Sequence, residues 1–580
     1  MTPLLGIDFG TSTARAALAL GGDVKMVAHA GGALVIPSIV AFPPGAGGGA
    51  PPLVGVAALS VIERHPERAI VSVKRLLGRR LDAPEVRHHR QAVAYDLVGT
   101  RNGDARVRVG RRHHAPQDIA AHLIGALRAA AERQAGGPVT DAVLAVPALF
   151  NDLQRQAIHD AARIAGLNVL GVLTATSAAV LGSGVYPAGR GEERKTFVYD
   201  LGGGSFEVSA LMVGDRTAEV LASGGEGFLG GEDFDQRIVV HICDEVLKAG
   251  GGDLRRDRSL LARLTRVAER VKVELSGSRD VEVHVPGSSG STSFVTHLDR
   301  PRLEALTQDL VDRTVWSCES VLREAKWTAE DIDLVLVLGG QARMPRIRAQ
   351  LTEACGKEPI ELAGSDVVVA VGAARHAATL AGATPGRRRS RGPSPINEMT
   401  TLSLGLESAG GVFTRLIPRG TPLPVTRTQL VSTSTDGQTQ IVLHLLQGER
   451  EMAADNESVA RLQIGPLPAR PRGELQLEVD ISSDGAGLPT AEVRIVESGE
   501  AKQARVRPSA GLAESEIVAL TAAHAAGGAS AGTVSDGPFS DFASSDVVVV
   551  DDERDAGESD ATDPGSSGSP GSPGLPHLPL

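Results

Sequence analysis

Three short glycine-rich segments carry the residues of this chain that could do chemistry. The first is Asp8-Phe9-Gly10-Thr11-Ser12-Thr13. Glycine lets a backbone approach a phosphate closely, and successive N–H groups of such a turn can point at its oxygens. An aspartate at the strand end suits the water shell of Mg2+, which keeps several waters beside phosphate oxygens and one or two carboxylates. Alone, the fragment reads more readily as an ordinary hairpin with a capping aspartate. The second copy, Asp200-Leu201-Gly202-Gly203-Gly204-Ser205-Phe206, repeats the aspartate, glycine and hydroxyl after another strand. Two such hairpins suit a cleft that grips one polyphosphate from both sides. The third segment, Gly339-Gly340-Gln341-Ala342-Arg343-Met344-Pro345, leaves room for a flat base and ribose against the backbone.

These segments need strands to aim them. Residues 4–20, LLGIDFGTSTARAALAL, read as strand, tight turn, strand from their apolar alternation. Residues 196–213 repeat that order, and DLVLVLGG at 333–340 is a strand ending in a glycine turn. Apolar spacing predicts a helix over 117–135, then a buried strand at DAVLAV, a helix over 152–165 and a strand at NVLGVLTAT. Further helices are expected over 177–183, 233–249, 259–275 and 301–325. One unit, a phosphate-type hairpin followed by a β-α segment, therefore occurs twice before residue 380. Residues 382–398 have the Gly, Pro, Ser and Arg of a linker. From Thr401, short strands alternate with turn signals, as in an all-β sandwich or barrel. Residues 512–526 suit one short helix. The Gly-, Ser-, Asp- and Pro-rich remainder, with VVVV at 547–550 its one apolar island, cannot offset its chain entropy by burial.

Bulk properties exclude several classes. The net charge is −11, and about −8 of it falls after residue 540, so no basic footprint of a nucleic-acid binder is visible. Aromatics are 3% of the chain, so cores must be aliphatic. Cys243, Cys318 and Cys355 lack paired spacing, which argues against a disulfide framework or zinc site. The pairs His88-His89 and His113-His114 lack partner ligands at metal-binding spacing and read as loop or surface histidines. No basic leader precedes the strand at Leu4 and no long apolar run exists, so a cytoplasmic protein without a membrane span is expected.

Between the glycine motifs lie longer matches. VPALFNDLQRQAIHDAARIAGLNVL (146–170), VKRLLGRR (73–80), GFLGGEDFDQRI (227–238), LSLGLESAGGVFTRLIPRGTPLP and LLQGEREMAADN together resemble the heat-shock 70-kDa (DnaK-type) chaperones. These belong to the actin/hexokinase-like ATPases, and the likeness covers about residues 3–515. It implies an α/β actin-like, ribonuclease H-like ATPase domain of two lobes at 1–381 and a linker at 382–400. A β-sandwich peptide-binding domain at 401–508, a vestigial lid helix at 509–526 and a disordered acidic tail at 527–580 would follow.

The resemblance also implies roles. Lys74 matches the lysine that reaches the γ-phosphate and attacking water, although a solvated lysine in a basic helix fits the same string. Asp8 and Asp200 would hold hydrated Mg2+. Gly10, Thr11, Ser12, Thr13, Gly202, Gly203, Gly204 and Ser205 would bind phosphates, with Ser205 in place of a usual Thr and Glu207 in place of a usual Asp. Gly231, Glu269, Lys272, Ser276, Gly339, Gly340, Gln341, Arg343 and Asp366 would hold the nucleoside of ATP or ADP. Pro147 and Arg155 match the proline switch and its arginine relay. Leu404, Leu406, Val431, Ile441, Leu443 and Ile481 map to a groove for extended apolar segments of unfolded polypeptides; on strand pattern alone they are sandwich core.

The chain departs from the family at five points. Ala175 falls on a glutamate that links the proline switch to the phosphates, and Val273 on an arginine that stacks on adenine. The linker PSPINEMTT replaces an apolar docking segment. Gly171 falls where bacterial members have an arginine that meets the J-domain co-chaperone, so that partner is doubtful; a nucleotide-exchange factor is another implied partner. Most of the helical lid is missing. Two readings follow: an ATP-hydrolysing chaperone with slow turnover, or a nucleotide-gated scaffold protein with little turnover.

Overall fold

The computed structural model describes residues 2–527 apart from 45–50, 188–190, 215–216, 288–293, 363, 383–395, 409, 488 and 503. The basic RRRSR run and the acidic tail from 528 onward, with its VVVV island, lie outside the described residues.

The duplicated hairpin unit is visible as duplicated sheet topology. In the first sheet the strands run Asn168–Thr174, Asp141–Val146, Leu4–Phe9, Thr13–Leu20, Asp23–Met26. In the second they run Ile360–Glu361, Leu334–Leu338, Glu193–Leu201, Phe206–Gly214, Ala218–Glu226. In each, the glycine-turn hairpin is antiparallel and its first strand pairs in parallel with the strand that follows a crossover. Leu4–Phe9 and Leu334–Leu338 read as near-continuous apolar runs because helices cover both faces of these sheets.

A helix follows the outer strand of each sheet: Ala175–Ser183 in the first and Val368–Gly382 in the second. The two pack against each other, and small residues let them do so. A Cβ on Gly182 would lie 1.9 Å from the Val368 carbonyl oxygen, and one on Gly372 would lie 1.8 Å from that of Ala178. Gly6 meets the same helix, where a Cβ would lie 2.1 Å from the Ala374 nitrogen. Alanines 178, 179, 370, 373, 374 and 377 fill the seam with Val198, Leu211 and Leu336.

Residues 404–508 form two facing sheets. One runs Val412–Ile417, Leu404–Ser408, Ile441–Gln447, Glu457–Ile464, Ala504–Pro508; the other runs Val425–Ser432, Gln476–Ser483, Thr490–Ile495, Ala501–Lys502. Alternation along the strands sends Leu445, Leu462, Leu477, Val479 and Ile481 inward to one core.

The rewritten linker docks although it lacks the apolar signature. Ile396–Asn397 adds a parallel strand to Ala218–Glu219 at the edge of the second sheet. Ile396 and Met399 pack on the seam between the two sheets. The Glu398 carboxylate accepts from the Thr174 N–H at 3.0 Å and its hydroxyl at 2.9 Å. Backbone pairing, the apolar contacts of Ile396 and Met399 and the Glu398 carboxylate together seat the altered sequence.

The last described helix, Glu514–Gly527, lies against the first half of the chain. Leu512 and Ile517 belong to the same buried cluster as Leu5, Ile7, Leu123 and Ile158. Glu514 pairs with Arg163 at 2.6 Å. No helix among the described residues is long and apolar enough to cross a membrane.

Candidate functional site

The two hairpin turns face each other. A Cβ on Gly203 would lie 1.9 Å from Ser12 Oγ, and one on Gly204 would lie 2.4 Å from Thr11 Cγ2. Gly10 folds over its own turn, where a Cβ would lie 2.3 Å from the Thr13 carbonyl oxygen. Side chains at these glycines would push the turns apart, so glycine there is a packing requirement. Gly202 closes the second turn by donating its N–H to the Ser205 carbonyl. The third glycine segment reaches the same place: a Cβ on Gly339 would lie 2.7 Å from Asp200 Oδ1.

Charge concentrates beneath the turns. Asp8 ends one strand opposite Arg15, whose Nε lies 3.5 Å from its carboxylate. Asp200 occupies the matching position in the second sheet, opposite Glu207. Burial first, then the neighbouring Asp8 charge, pushes the Asp200 carboxyl up, while Lys74 opposes the shift. Burial followed by Asp200 pushes Glu207 up as well, again against Lys74. Lys74 is held below the usual lysine range by burial, with Glu207, Asp8 and Asp200 pulling it back up. Three carboxylates outnumber the two cations, Lys74 and Arg15, and the excess negative charge in a desolvated site favours a divalent cation. The donor set thus fits Mg2+, with carboxylates on one side and phosphate-cradling turns on the other.

Lys74 is held in place by its neighbours. It lies in the 3-10 turn Val73–Leu76, after Ser72, which adopts a left-handed φ of 56°. Ser72 donates to Glu232. Arg75, buried to 6% exposure, donates to the Gly204 carbonyl at 2.9 Å and pairs with Asp233 at 2.5 Å and Glu232 at 3.3 Å. The arginine therefore ties the lysine segment to the second hairpin and to the helix Gly231–Lys248. Arg75 was not singled out from the sequence. The signal was there: an arginine adjoining Lys74 and an acidic pair in GGEDFD.

The expected nucleoside residues gather along that helix and its neighbours. Lys272 donates to the Gly231 carbonyl at 2.8 Å and pairs with Asp235 at 2.9 Å. A Cβ on Gly231 would lie 3.3 Å from the buried Gln341 side chain. Arg343 pairs with Asp366 at 2.8 Å, in a half-exposed position, and with Glu361. Glu269 and Gly340 are exposed, and Ser276 bonds the Lys272 carbonyl. Val273 is 65% exposed.

A continuous path of contacts leaves the carboxylates toward the sandwich. Glu207 Oε2 accepts from the Ala148 N–H at 2.8 Å, next to buried Pro147. The Pro147 carbonyl accepts from Phe150 N–H at 3.1 Å, and Lys74 Nζ lies 5.7 Å from the Phe150 ring centre. Arg155 donates to the Phe150 carbonyl at 3.1 Å and, across the domain boundary, to the Gly485 carbonyl at 2.8 Å. Beside it, Gln447 accepts from the Asp152 N–H at 2.9 Å. On another face of the boundary, Arg419 reaches the Ser223 carbonyl at 2.9 Å and Glu324 at 2.8 Å.

The six expected groove residues gather at one cluster of the sandwich. Leu404, Leu406, Ile441 and Ile481 are buried in the sandwich core, whereas Val431 and Leu443 are only partly buried against it. Ala175 begins its helix, and the Glu207 carboxylate stands by the proline turn instead. A family model described as "Hsp70 protein" matches residues 4–549.

Proposed function

We propose, because this chain belongs to the Hsp70 family, that it binds ATP with Mg2+ at the paired hairpins, hydrolyses it slowly, and couples that cycle to capture of extended apolar segments by the β-sandwich. Chaperone activity with ATP binding is the family's general property. The observation that carries the reading for this chain is the convergence of Asp8, Asp200, Glu207 and Lys74 beneath two glycine turns. Thr11, Ser12, Thr13 and Ser205 offer donors to phosphate oxygens. Mg2+, when bound, neutralises the phosphates and orients water. Asp8 and Asp200 hold its hydration shell, and Lys74 stabilises charge developing on the transferred phosphoryl group. Gly231, Glu269, Lys272, Ser276, Gly339, Gly340, Gln341, Arg343 and Asp366 bound the nucleoside side.

Glu207 is assigned the linking task that the family gives to the carboxylate at the Ala175 position. Its extra methylene, relative to aspartate, supports this by bringing the carboxylate to the Ala148 N–H. Pro147 and Arg155 then relay the nucleotide state to Gly485. A Glu207→Gln chain is expected to slow single-turnover hydrolysis by about 10–100-fold, the usual cost of an outer-shell metal partner. A rate equal to the parent's would remove Glu207 from the mechanism.

Single-turnover ATP hydrolysis with and without an extended apolar peptide tests the whole reading. Slow hydrolysis accelerated by peptide is the expected result. A second reading, a nucleotide-gated scaffold, is favoured by the burial of four of the six groove residues. Tight ATP binding with no turnover and no peptide response would select it.

A further inference from the structure

Three histidines surround one carboxylate where the C-terminal helix meets the first half of the chain. Asp118 and His122 stand one turn apart on the helix Pro116–Ala135, so both face the same way. His524 comes from the helix Glu514–Gly527. Its Nε2 lies 2.9 Å from Asp118 Oδ1, and His122 Nε2 lies 3.9 Å from the same oxygen. The two imidazoles stack, with centroids 4.1 Å apart and planes 25° from parallel. His114, at the end of the strand Arg112–His114, bonds the other carboxylate oxygen through Nδ1 at 2.9 Å.

Ordinary pairing explains this arrangement poorly. His524 and His114 hydrogen-bond to the two carboxylate oxygens, whereas His122 Nε2, at 3.9 Å, is beyond hydrogen-bond reach of Asp118. The ligand atoms of Asp118, His122 and His524 already lie within 4.8 Å of one another. Tetrahedral zinc, with bonds of about 2.0–2.1 Å, needs ligand atoms about 3.4 Å apart, a distance that small side-chain rotations supply.

We propose that Asp118, His122 and His524 form a site for a divalent transition metal of the zinc class, which staples the C-terminal helix to the nucleotide-binding half. His122 and His524 coordinate through Nε2 and Asp118 through Oδ1, with water in the fourth position. The side chains retain 22%, 12% and 11% exposure, which leaves that position reachable. His114 is a positioning residue that fixes the carboxylate through its second oxygen. Imidazole ligands also separate this site from the Mg2+ that accompanies ATP, since magnesium prefers oxygen ligands. The sequence hid the set because His524 stands 406 positions after Asp118.

The test uses the full-length chain without a histidine tag, stripped with chelator and titrated with Zn2+ by calorimetry. One Zn2+ per chain is expected, together with slower hydrogen exchange of residues 514–527 on loading. His122→Gln and His524→Gln should each abolish that step. His114→Gln should weaken it by about 10–100-fold, and His113→Gln, at an exposed neighbour, should leave it unchanged. Leu512, Ile517 and the Arg163–Glu514 pair keep the helix seated in these variants, so loss of metal is separable from loss of fold. Co2+ in place of Zn2+ should show tetrahedral absorption bands in the parent and none in His524→Gln. No Zn2+ uptake by the parent, or equal uptake by the His122→Gln/His524→Gln double variant, would overturn the proposal and leave a hydrogen-bonded clamp only.

Discussion

A Lys74→Ala chain is expected to bind ATP within a few-fold of the parent and to hydrolyse it about 10²–10³ times more slowly in single turnover. The argument rests on where the charge sits. Lys74 is the ammonium that opposes the upward shifts of Asp200 and Glu207, and both carboxylates together with Asp8 act on it in return. In the ground state bound Mg2+ would offset the cluster's excess negative charge, so losing one ammonium should change binding little. In the transition state Lys74 would face the charge developing on the transferred group, whereas Arg15, the other cation of the cluster, is held against Asp8. Arg75, one residue on, is already committed to Glu232, Asp233 and the Gly204 carbonyl. Quench-flow hydrolysis beside calorimetric ATP binding separates the two quantities. An unchanged rate constant would show that Lys74 is a structural charge and not part of the chemistry.

Gly372→Ala is expected to destabilise the chain by about 3 kcal/mol, at the upper end of the cost of overpacking a well-filled interior. The same substitution at Gly125 is expected to stabilise it by up to about 1 kcal/mol. Both glycines lie inside helices, so intrinsic propensity favours alanine at each. Their surroundings decide the sign. At Gly372 a methyl group would lie 1.8 Å from the Ala178 carbonyl oxygen, backbone that cannot yield without parting the two helices. At Gly125 nothing lies within 4 Å. Scanning calorimetry reads the pair directly: Gly372→Ala should lower the melting temperature by about 4 °C, taking an unfolding entropy of about 2.1 cal/mol/K per residue over the roughly 380 residues of the two lobes. Equal shifts of one sign in both variants would mean that the helix crossing is not closely packed.

Much of this arrangement was legible before any coordinates, and the reasons can be named. The hairpins were visible because strand alternation and glycine turns are local signals. Their duplication was visible as element order, which the two sheets repeat strand for strand. Val368–Gly382 was not anticipated, because a helix of Val, Ala and Gly that is largely buried shows no polar stripe to mark its period. Docking of Ile396–Asn397 was invisible because its partners, Ala218–Glu219 and Thr174, lie far away along the chain. Glu207 was seen only as a conservative replacement. Its reach to the Ala148 N–H depends on two segments that meet across the fold. Asp118, His122 and His524 were not singled out for the same reason. Spacing rules read ligands along the chain, whereas this set is closed by tertiary packing.

The seating of Leu512 and Ile517 among the residues of the first half has a consequence for how the molecule is made. Arg106 and its partner Glu516 are 410 positions apart, and the apolar surface under that helix is finished only when the last of these residues is translated. At ordinary elongation speeds the gap is about 20–80 s. Throughout it, a nascent chain on the ribosome carries an uncovered greasy patch of the kind that chaperones recognise.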